Sequence, residues 1–181
     1  RPAAAAEPSL RYVGGAPAAL DPAFIDSAGD VQFLLQTYAG LTRLDEKGQP
    51  YASLAESWSV ADDARTYTFH LRSGLTFSDG SPLDAIDVRR SWLRILDPAT
   101  HSTAPDVLSI IQGASERLAG GPESGVAIDA PDARTLTVQL KHPAAYFTAI
   151  TAPPTDVVVP CTAPCHAHKW QSIYMSVGCR P

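Results

Sequence analysis

Cys161, Cys165, His166 and His168, with Cys179 beyond them, place five soft metal ligands in the last 21 residues of a 181-residue chain. Thiolates and imidazoles are ligands of zinc, and four that converge close a tetrahedral site. The spacing argues against one. His166 and His168 follow Cys165 too closely to match a zinc module, so the expectation is an irregular tail and no metal, with these four residues as the only candidates. Asp79 and Asp84 are a second set to weigh, since two carboxylates can divide acid and base roles. Ser78-Asp79-Gly80 reads instead as a turn, and Asp84 as a helix cap. His70 stands on the polar side of a strand, the place of a surface histidine or a cross-strand hydrogen bond. Trp58 and Trp92 offer stacking faces to a bound molecule, but a hairpin and an apolar helix face make them core residues. Gly120-Gly121-Pro122-Glu123-Ser124-Gly125 is glycine-rich yet follows a helix, whereas phosphate-cradling loops precede one. No nucleophile elbow, Walker loop or dinucleotide fingerprint occurs. Neither catalysis nor a cofactor is expected.

Composition narrows the partners. Fourteen basic against nineteen acidic residues give a net charge of -5. A nucleic-acid surface needs clustered positive charge to displace counterions, and Arg89, Arg90 and Arg94 form the only tight basic group. A solvated helix face accounts for them. No apolar run is long enough to cross a bilayer. The start, RPAAAAEPSL, has the Ala/Pro character of a leader, of a processed secretion signal, or of a simple boundary. Three cysteines, all in the tail, make no disulfide framework.

The elements that must position these groups can be read from periodicity. Val31, Leu34, Leu35 and Tyr38 share one helical face, with Gly40 at the C-cap. Strands are expected at Leu10–Val13, Leu41–Leu44 and Val157–Val159. Behind Asp84, residues Ala85, Val88, Trp92, Ile95 and Leu96 share a helical face until Pro98 ends it. A further helix is expected over Asp106–Ala119, with Val107, Ile110, Ile111 and Leu118 inward, and a short one over Ala144–Ile150. Two stretches resemble each other: ADDARTYTFHL at 61–71 and APDARTLTVQL at 130–140 match at seven of eleven positions. In each, apolar and polar residues alternate after an Asp-bearing turn. Each reads as the second strand of a β-hairpin, with Trp58–Val60 and Val126–Ile128 as first strands. The sequences after them differ, so the same local solution is used twice and no domain is repeated. The plan is α+β: an antiparallel sheet with two β-hairpins covered by helices.

Three stretches together carry a family resemblance: LDPAF at 20–24, LAESWSVADDARTYTFHLRSGLTFSDGSPLDAIDV at 54–88, and GVAIDAPDARTLTVQLKHPAAYF at 125–147. They resemble the oligopeptide- and dipeptide-binding proteins of ABC importers, bacterial extracellular solute-binding family 5, over roughly residues 8–160. The resemblance implies a two-lobed periplasmic-binding-protein fold with an extra domain. It implies a leader or linker at 1–7, the start of the first lobe at 8–34, the extra α+β domain at 35–160, and a tail at 161–181, truncated or altered in frame. The second lobe would be missing, leaving an N-terminal fragment. The implied partners are a peptide or other small solute and an ABC permease in the membrane. The implied place is periplasmic or extracellular, with membrane anchoring through a lost lipid signal as one form, and the implied state is a monomer. Nickel-, haem- and sugar-binding relatives keep the ligand class open.

The loop before Leu-Asp-Pro lines the cleft in such proteins. It corresponds to Gly15, Ala16, Pro17 and Ala18, which offer mostly backbone groups suited to pairing with an extended peptide. Two positions depart from the family. Ile86 precedes Asp87 where an acidic residue is common. The neighbourhood of Asp-Pro-x-Thr holds Thr103-Ala104-Pro105 without the aromatic that touches ligand in oligopeptide binders. An autonomous α+β interaction module without transport function is the alternative expectation.

Overall fold

The look-alike stretches fold into one sheet, and into its centre. The computed structural model describes residues 21–25 and 27–152. Strands β3 (Ala55–Val60) and β4 (Thr66–Leu71) form the first hairpin, and β5 (Ile128–Asp132) and β6 (Thr135–Gln139) the second. All pairings are antiparallel, in the order β3-β4-β6-β5, so the two matching strands lie side by side. Tyr67 faces Val138 and Phe69 faces Leu136 across that seam. The strand ends are tied reciprocally: Leu71 N–H donates to the Arg134 carbonyl at 2.7 Å and Leu140 N–H to the Arg65 carbonyl at 2.9 Å. Each turn is closed by its aspartate. Asp63 Oδ1 accepts from the N–H of Arg65 and Thr66 at 2.8 and 2.9 Å, and Asp132 Oδ1 from that of Arg134 at 2.7 Å. The shared Asp-Ala-Arg-Thr letters are therefore turn chemistry.

Alternation sets the faces. Tyr67, Phe69, Leu71, Leu136, Val138 and Leu140 are buried on one side. Ser57, Thr68, His70, Thr135 and Thr137 lie on the other, with His70 between Ser57 and Thr135 in register. The second hairpin departs from expectation. Its first strand runs on through Asp129–Asp132, read from sequence as the turn, with a register shift inside it. β5 is an edge strand, where a proline such as Pro131 loses no ladder bond.

Helix α2 (Ala85–Ile95) covers the buried face. Asp84 Oδ1 accepts from the N–H of Ile86 and Asp87 at 2.8 and 3.1 Å, and Asp87 Oδ2 accepts from Asp84 N–H at 3.0 Å, a reciprocal capping box. Ala85, Val88, Trp92, Leu93, Ile95 and Leu96 are buried. Trp92 meets Phe147 edge-on at 6.3 Å, and Tyr67 meets it at 5.0 Å. Phe147 opens α4 (Phe147–Ile150), shorter than the helix read over Ala144–Ile150. Ahead of it the Ala144 carbonyl accepts from the Tyr67 hydroxyl at 2.8 Å and, closing a tighter turn, from Phe147 N–H at 2.9 Å.

The helix expected over Asp106–Ala119 is two pieces: a 3-10 turn at Pro105–Leu108 and α3 (Ala114–Leu118). Between them the chain pairs with the sheet. Gln112 N–H donates to Gln139, Ala127 N–H to Gln112, and Lys141 N–H to Ile110, each at 2.9 Å. Gly113 makes the break possible, with φ +80 and no room for a side chain. Leu108, Ile110 and Ile111 are buried, whereas Val107 and Leu118 are half-buried.

Helix α1 (Ala28–Thr37) starts earlier than its apolar spacing implied, because Ser27 Oγ caps Asp30 N–H at 3.1 Å. It ends with Tyr38 at the C-cap, not Gly40. Of the expected face, Leu34 is buried while Leu35 remains 36% exposed. A two-stranded ribbon, β1 (Thr42–Leu44) with β2 (Pro50–Ala52), follows. It is joined to α4 by a buried hydroxyl bridge: Thr42 Oγ1 donates to the Thr148 carbonyl at 2.7 Å and lies 3.0 Å from Thr151 Oγ1. The expected strands at Leu10–Val13 and Val157–Val159 lie outside the described residues.

Candidate functional site

Most of the groups with chemical potential are spent on shape. Asp79 Oδ1 accepts from Ser81 N–H at 2.9 Å and from the Ser81 hydroxyl, which hold its carboxyl below the usual aspartate range. Backbone N–H groups do the same for Asp63 and Asp132. Asp87 moves the other way, pushed up first by burial at the foot of α2. Asp79 and Asp84 thus serve a turn and a cap, as their local sequence implied. Trp92 is wholly buried and Trp58 half-buried against the same core. His70 is an exposed strand residue. The glycine-rich run after α3 holds a 3-10 turn, Glu123–Gly125, whose Gly125 carbonyl packs onto Gly113. Among the described residues no His, Cys, Asp and Glu side chains gather where a metal ion could sit, and no helix is long and apolar enough to cross a membrane. Gly15, Ala16, Pro17 and Ala18, and the metal candidates Cys161, Cys165, His166 and His168, lie outside the described residues.

The basic group on α2 is not the solvated face expected from sequence. Arg89 Nη1 lies 3.1 Å from Glu123 Oε1, and its Nε donates to the Ile128 carbonyl at 3.0 Å. Arg90 alone is largely solvated, 4.0 Å from Asp87. Arg94 reaches back 73 positions to Asp21: Nη1 donates to Oδ1 at 3.0 Å and Nη2 to Oδ2, with both side chains about four-fifths buried. No pattern in the sequence marks that pair, since nothing local links the two positions.

This pair is one part of a corner. Asp21 Oδ1 also caps a 3-10 turn, Pro22–Phe24, by accepting from Ala23 N–H at 3.0 Å. The Ala23 carbonyl accepts from Thr103 N–H at 2.9 Å and from the Ser102 hydroxyl at 3.0 Å. The Ile25 carbonyl accepts from the Thr103 hydroxyl at 2.7 Å. Residues 97–103 are themselves braced. Asp97 Oδ1 caps Ala99 N–H at 2.9 Å, and Asp97 Oδ2 takes Arg117 Nη2 at 2.6 Å. His101, at φ +53, gives the sharp bend that brings Ser102 and Thr103 onto Ala23. Residues Ala23 and Ile25, just after Asp21-Pro22, and Ser102 and Thr103, just after the Asp-Pro-x-Thr loop, therefore meet, and they meet through backbone and hydroxyl groups.

The family model for bacterial extracellular solute-binding proteins, family 5 (middle region), matches residues 49–173. The chain is 38% identical over 147 residues to a probable deoxycholate-binding periplasmic protein, YgiS, of Escherichia coli, covering 80% of this chain and 28% of that one. It is 35% identical over 137 residues to the oligopeptide-binding protein OppA of Bacillus subtilis, covering 75% and 25%. Among solved structures it superposes on a periplasmic oligopeptide-binding protein of Borrelia burgdorferi with a TM-score of 0.77 at 37% identity, covering 81% and 30%. On the murein tripeptide-binding protein MppA of Escherichia coli the TM-score is 0.75 at 31% identity, covering 82% and 30%. The chain spans between 25% and 30% of the length of these relatives, whose fold is that of two-lobed periplasmic binding proteins. The chain belongs to the bacterial extracellular solute-binding proteins, family 5.

Proposed function

We propose that the chain supplies part of an extracytoplasmic receptor that binds a peptide noncovalently and presents it to an ABC permease in the membrane. The observation that carries this reading is the corner where Asp21–Ile25 docks on Ser102 and Thr103. It anchors the stretch just after Gly15, Ala16, Pro17 and Ala18, whose backbone groups would pair with an extended peptide by strand addition. Residues 8–34 would open the first lobe and 35–160 form the extra domain. The continuous core from Leu41 to Phe147 supports that division. No catalytic step, cofactor or metal belongs to this reading, and the receptor would act as a monomer, periplasmic or lipid-anchored. The relatives named for peptides outnumber the one named for deoxycholate, so peptide is the ligand class advanced.

The test has two arms. The coding DNA after residue 160, read in all frames and onward, should encode a second lobe, with permease genes nearby. Absence of any such continuation overturns the receptor reading. Titration of the 181-residue chain with a peptide pool should give no saturable binding, because one lobe supplies half of the contacts. The self-contained core favours a second reading, an autonomous interaction module, and tight saturable binding by this chain alone would establish it.

A further inference from the structure

Thr42 is the one buried residue of the β1–β2 ribbon, and it is polar. The rest of the ribbon is exposed or half-buried, and of residues 41–52 only Leu41 belongs to the core cluster. More than a hundred positions later, α4 is a helix of four residues with no side-chain cap at its start. So short a helix is unstable by itself, and its last carbonyls have no partners within it. Thr42 supplies those partners from the other end of the unit. Its N–H donates to the Thr151 carbonyl at 3.3 Å and its hydroxyl to the Thr148 carbonyl at 2.7 Å. Thr151 Oγ1 lies 3.0 Å from both Thr42 Oγ1 and the Thr148 carbonyl oxygen. Thr42 and Thr151 have no exposed surface, so water cannot replace these bonds, and a polar group left unpaired there is costly. The ribbon and the end of α4 are therefore each conditional on the other.

We propose that Thr42 is the pin of a conformational latch. It fastens the ribbon to the end of α4, and the two open together as one unit while the four-stranded sheet and α2 stay folded. Phe147 keeps its place against Tyr67 and Trp92, so the part of α4 released is the turn that follows it. At the base of the ribbon the Leu41 carbonyl accepts from the N–H of Ser53 and Ala55 at 3.3 and 3.0 Å, and these bonds break with the latch. Elements with few buried apolar contacts open at the low end of a protein's range of local stabilities, whereas β4 and β6 place six side chains in the core. The latch does not rest on the receptor reading.

Amide hydrogen exchange on the intact 181-residue chain, over a low range of urea, reads the opening. Ser53 on the ribbon side, and Thr151 and Ala152 on the helix side, should share one opening free energy and one urea dependence. Both should be smaller than those of Leu71 and Leu140 in the sheet. Thr42→Val should speed exchange at all three latch amides by the same factor, about tenfold or more. Thr42→Ser keeps the hydroxyl and should exchange like the parent. Separate urea dependences for Ser53 and for Thr151 with Ala152 overturn the proposal, because the ribbon and the helix end would then open independently. One dependence shared with Leu71 and Leu140 also overturns it, because the unit would then open only with the whole fold. Acceleration on one side alone in Thr42→Val, or Thr42→Ser exchanging as fast as Thr42→Val, overturns the role of the hydroxyl as the pin. Should Thr42→Val loosen the fold too far to be read, the urea dependences of the parent and the rates of Thr42→Ser decide.

Discussion

Gly113→Ala discriminates between two pictures of residues 106–119 by the sign of its effect. In a continuous helix, replacing an interior glycine by alanine stabilises by about 0.8–1.0 kcal/mol. In the structure Gly113 has φ +80, where an alanine costs about 1–2 kcal/mol. Its Cβ would also lie 1.9 Å from the Gly125 carbonyl oxygen, 2.7 Å from the carbonyl carbon and 3.0 Å from Val126 Cα. Those are backbone atoms, and Val126 is buried, so they cannot step aside as the end of a flexible side chain could. Forcing extra volume into packed surroundings costs about 1–3 kcal/mol. Together the terms give a loss of about 2–5 kcal/mol, a large share of a domain stability that runs about 5–15 kcal/mol. Urea unfolding followed by far-ultraviolet circular dichroism measures it, with a lowered midpoint at unchanged slope as the expected result. A variant as stable as the parent, or more so, would mean that the bend at Gly113 and its contact with Gly125 are wrong.

Trp92→Ala should cost about 3–5 kcal/mol in the same assay, since the ring is wholly enclosed and meets Phe147 edge-on; a loss below about 1 kcal/mol would place the ring outside the core. Thr42→Val strips the hydroxyl from the buried Thr42–Thr148–Thr151 bridge and should cost about 1–3 kcal/mol through the groups it leaves unpaired; an unchanged midpoint would show the bridge to be dispensable. Asp63, Asp79 and Asp132 have lowered folded-state pKa values, so their contribution is present above the unfolded aspartate value near 4 and drains away as pH falls through the folded values. Asp87 is raised, so its contribution is complete below the unfolded value and is lost as pH rises through the folded one. Urea midpoints in the Asp63→Asn, Asp79→Asn, Asp132→Asn triple variant should fall less steeply below pH 4 than in the parent, and an identical acid slope would refute the assignment. A thiol-reactivity assay on the intact chain should show no cysteine protection on adding zinc, and protection would establish a metal site in the tail.

What could be read from sequence was whatever depends on neighbours in sequence. Alternation in 66–71 and 135–140 placed six buried side chains correctly, because strand period needs no knowledge of the partner. The Asp84 cap and the α2 face were legible for the same reason, each residue lying within a turn of the next. Ile110–Gln112 was not legible. Its apolar spacing suits a helix, and only the free backbone of Gln139 and Ala127 draws it into extended pairing instead. Gly113 was a signal that could have been weighed more heavily, as a residue that breaks helices and permits the left-handed region. Arg94 misled for a related reason: a charged residue on the far side of an amphipathic helix is ordinarily solvated, and its partner Asp21 lies 73 positions away. Of the candidate site, the sequence could mark two stretches by resemblance, but their meeting at Ala23 and Thr103 depends on long-range contacts that no local pattern carries.

The directions of the perturbed acids bear on what kind of function such a scaffold supports. Acid–base catalysis needs titratable groups whose environments push their pKa values apart within reach of one another. Here Asp63, Asp79 and Asp132 are all lowered, each by hydrogen bonds from its own turn or hairpin. The carboxylate raised by burial, Asp87, is committed to the N–H of Asp84 in a capping box. Its neighbour of like charge is that same cap residue, so a proton moving there would loosen α2 rather than act on a ligand. The arginines follow the same pattern, since Arg89, Arg94 and Arg117 each bind a carboxylate and two of them a backbone carbonyl as well. These charged groups hold chain segments at fixed positions, whereas Arg90 stays largely solvated. The Ser102 and Thr103 hydroxyls are committed in the same way, to the carbonyls of Ala23 and Ile25.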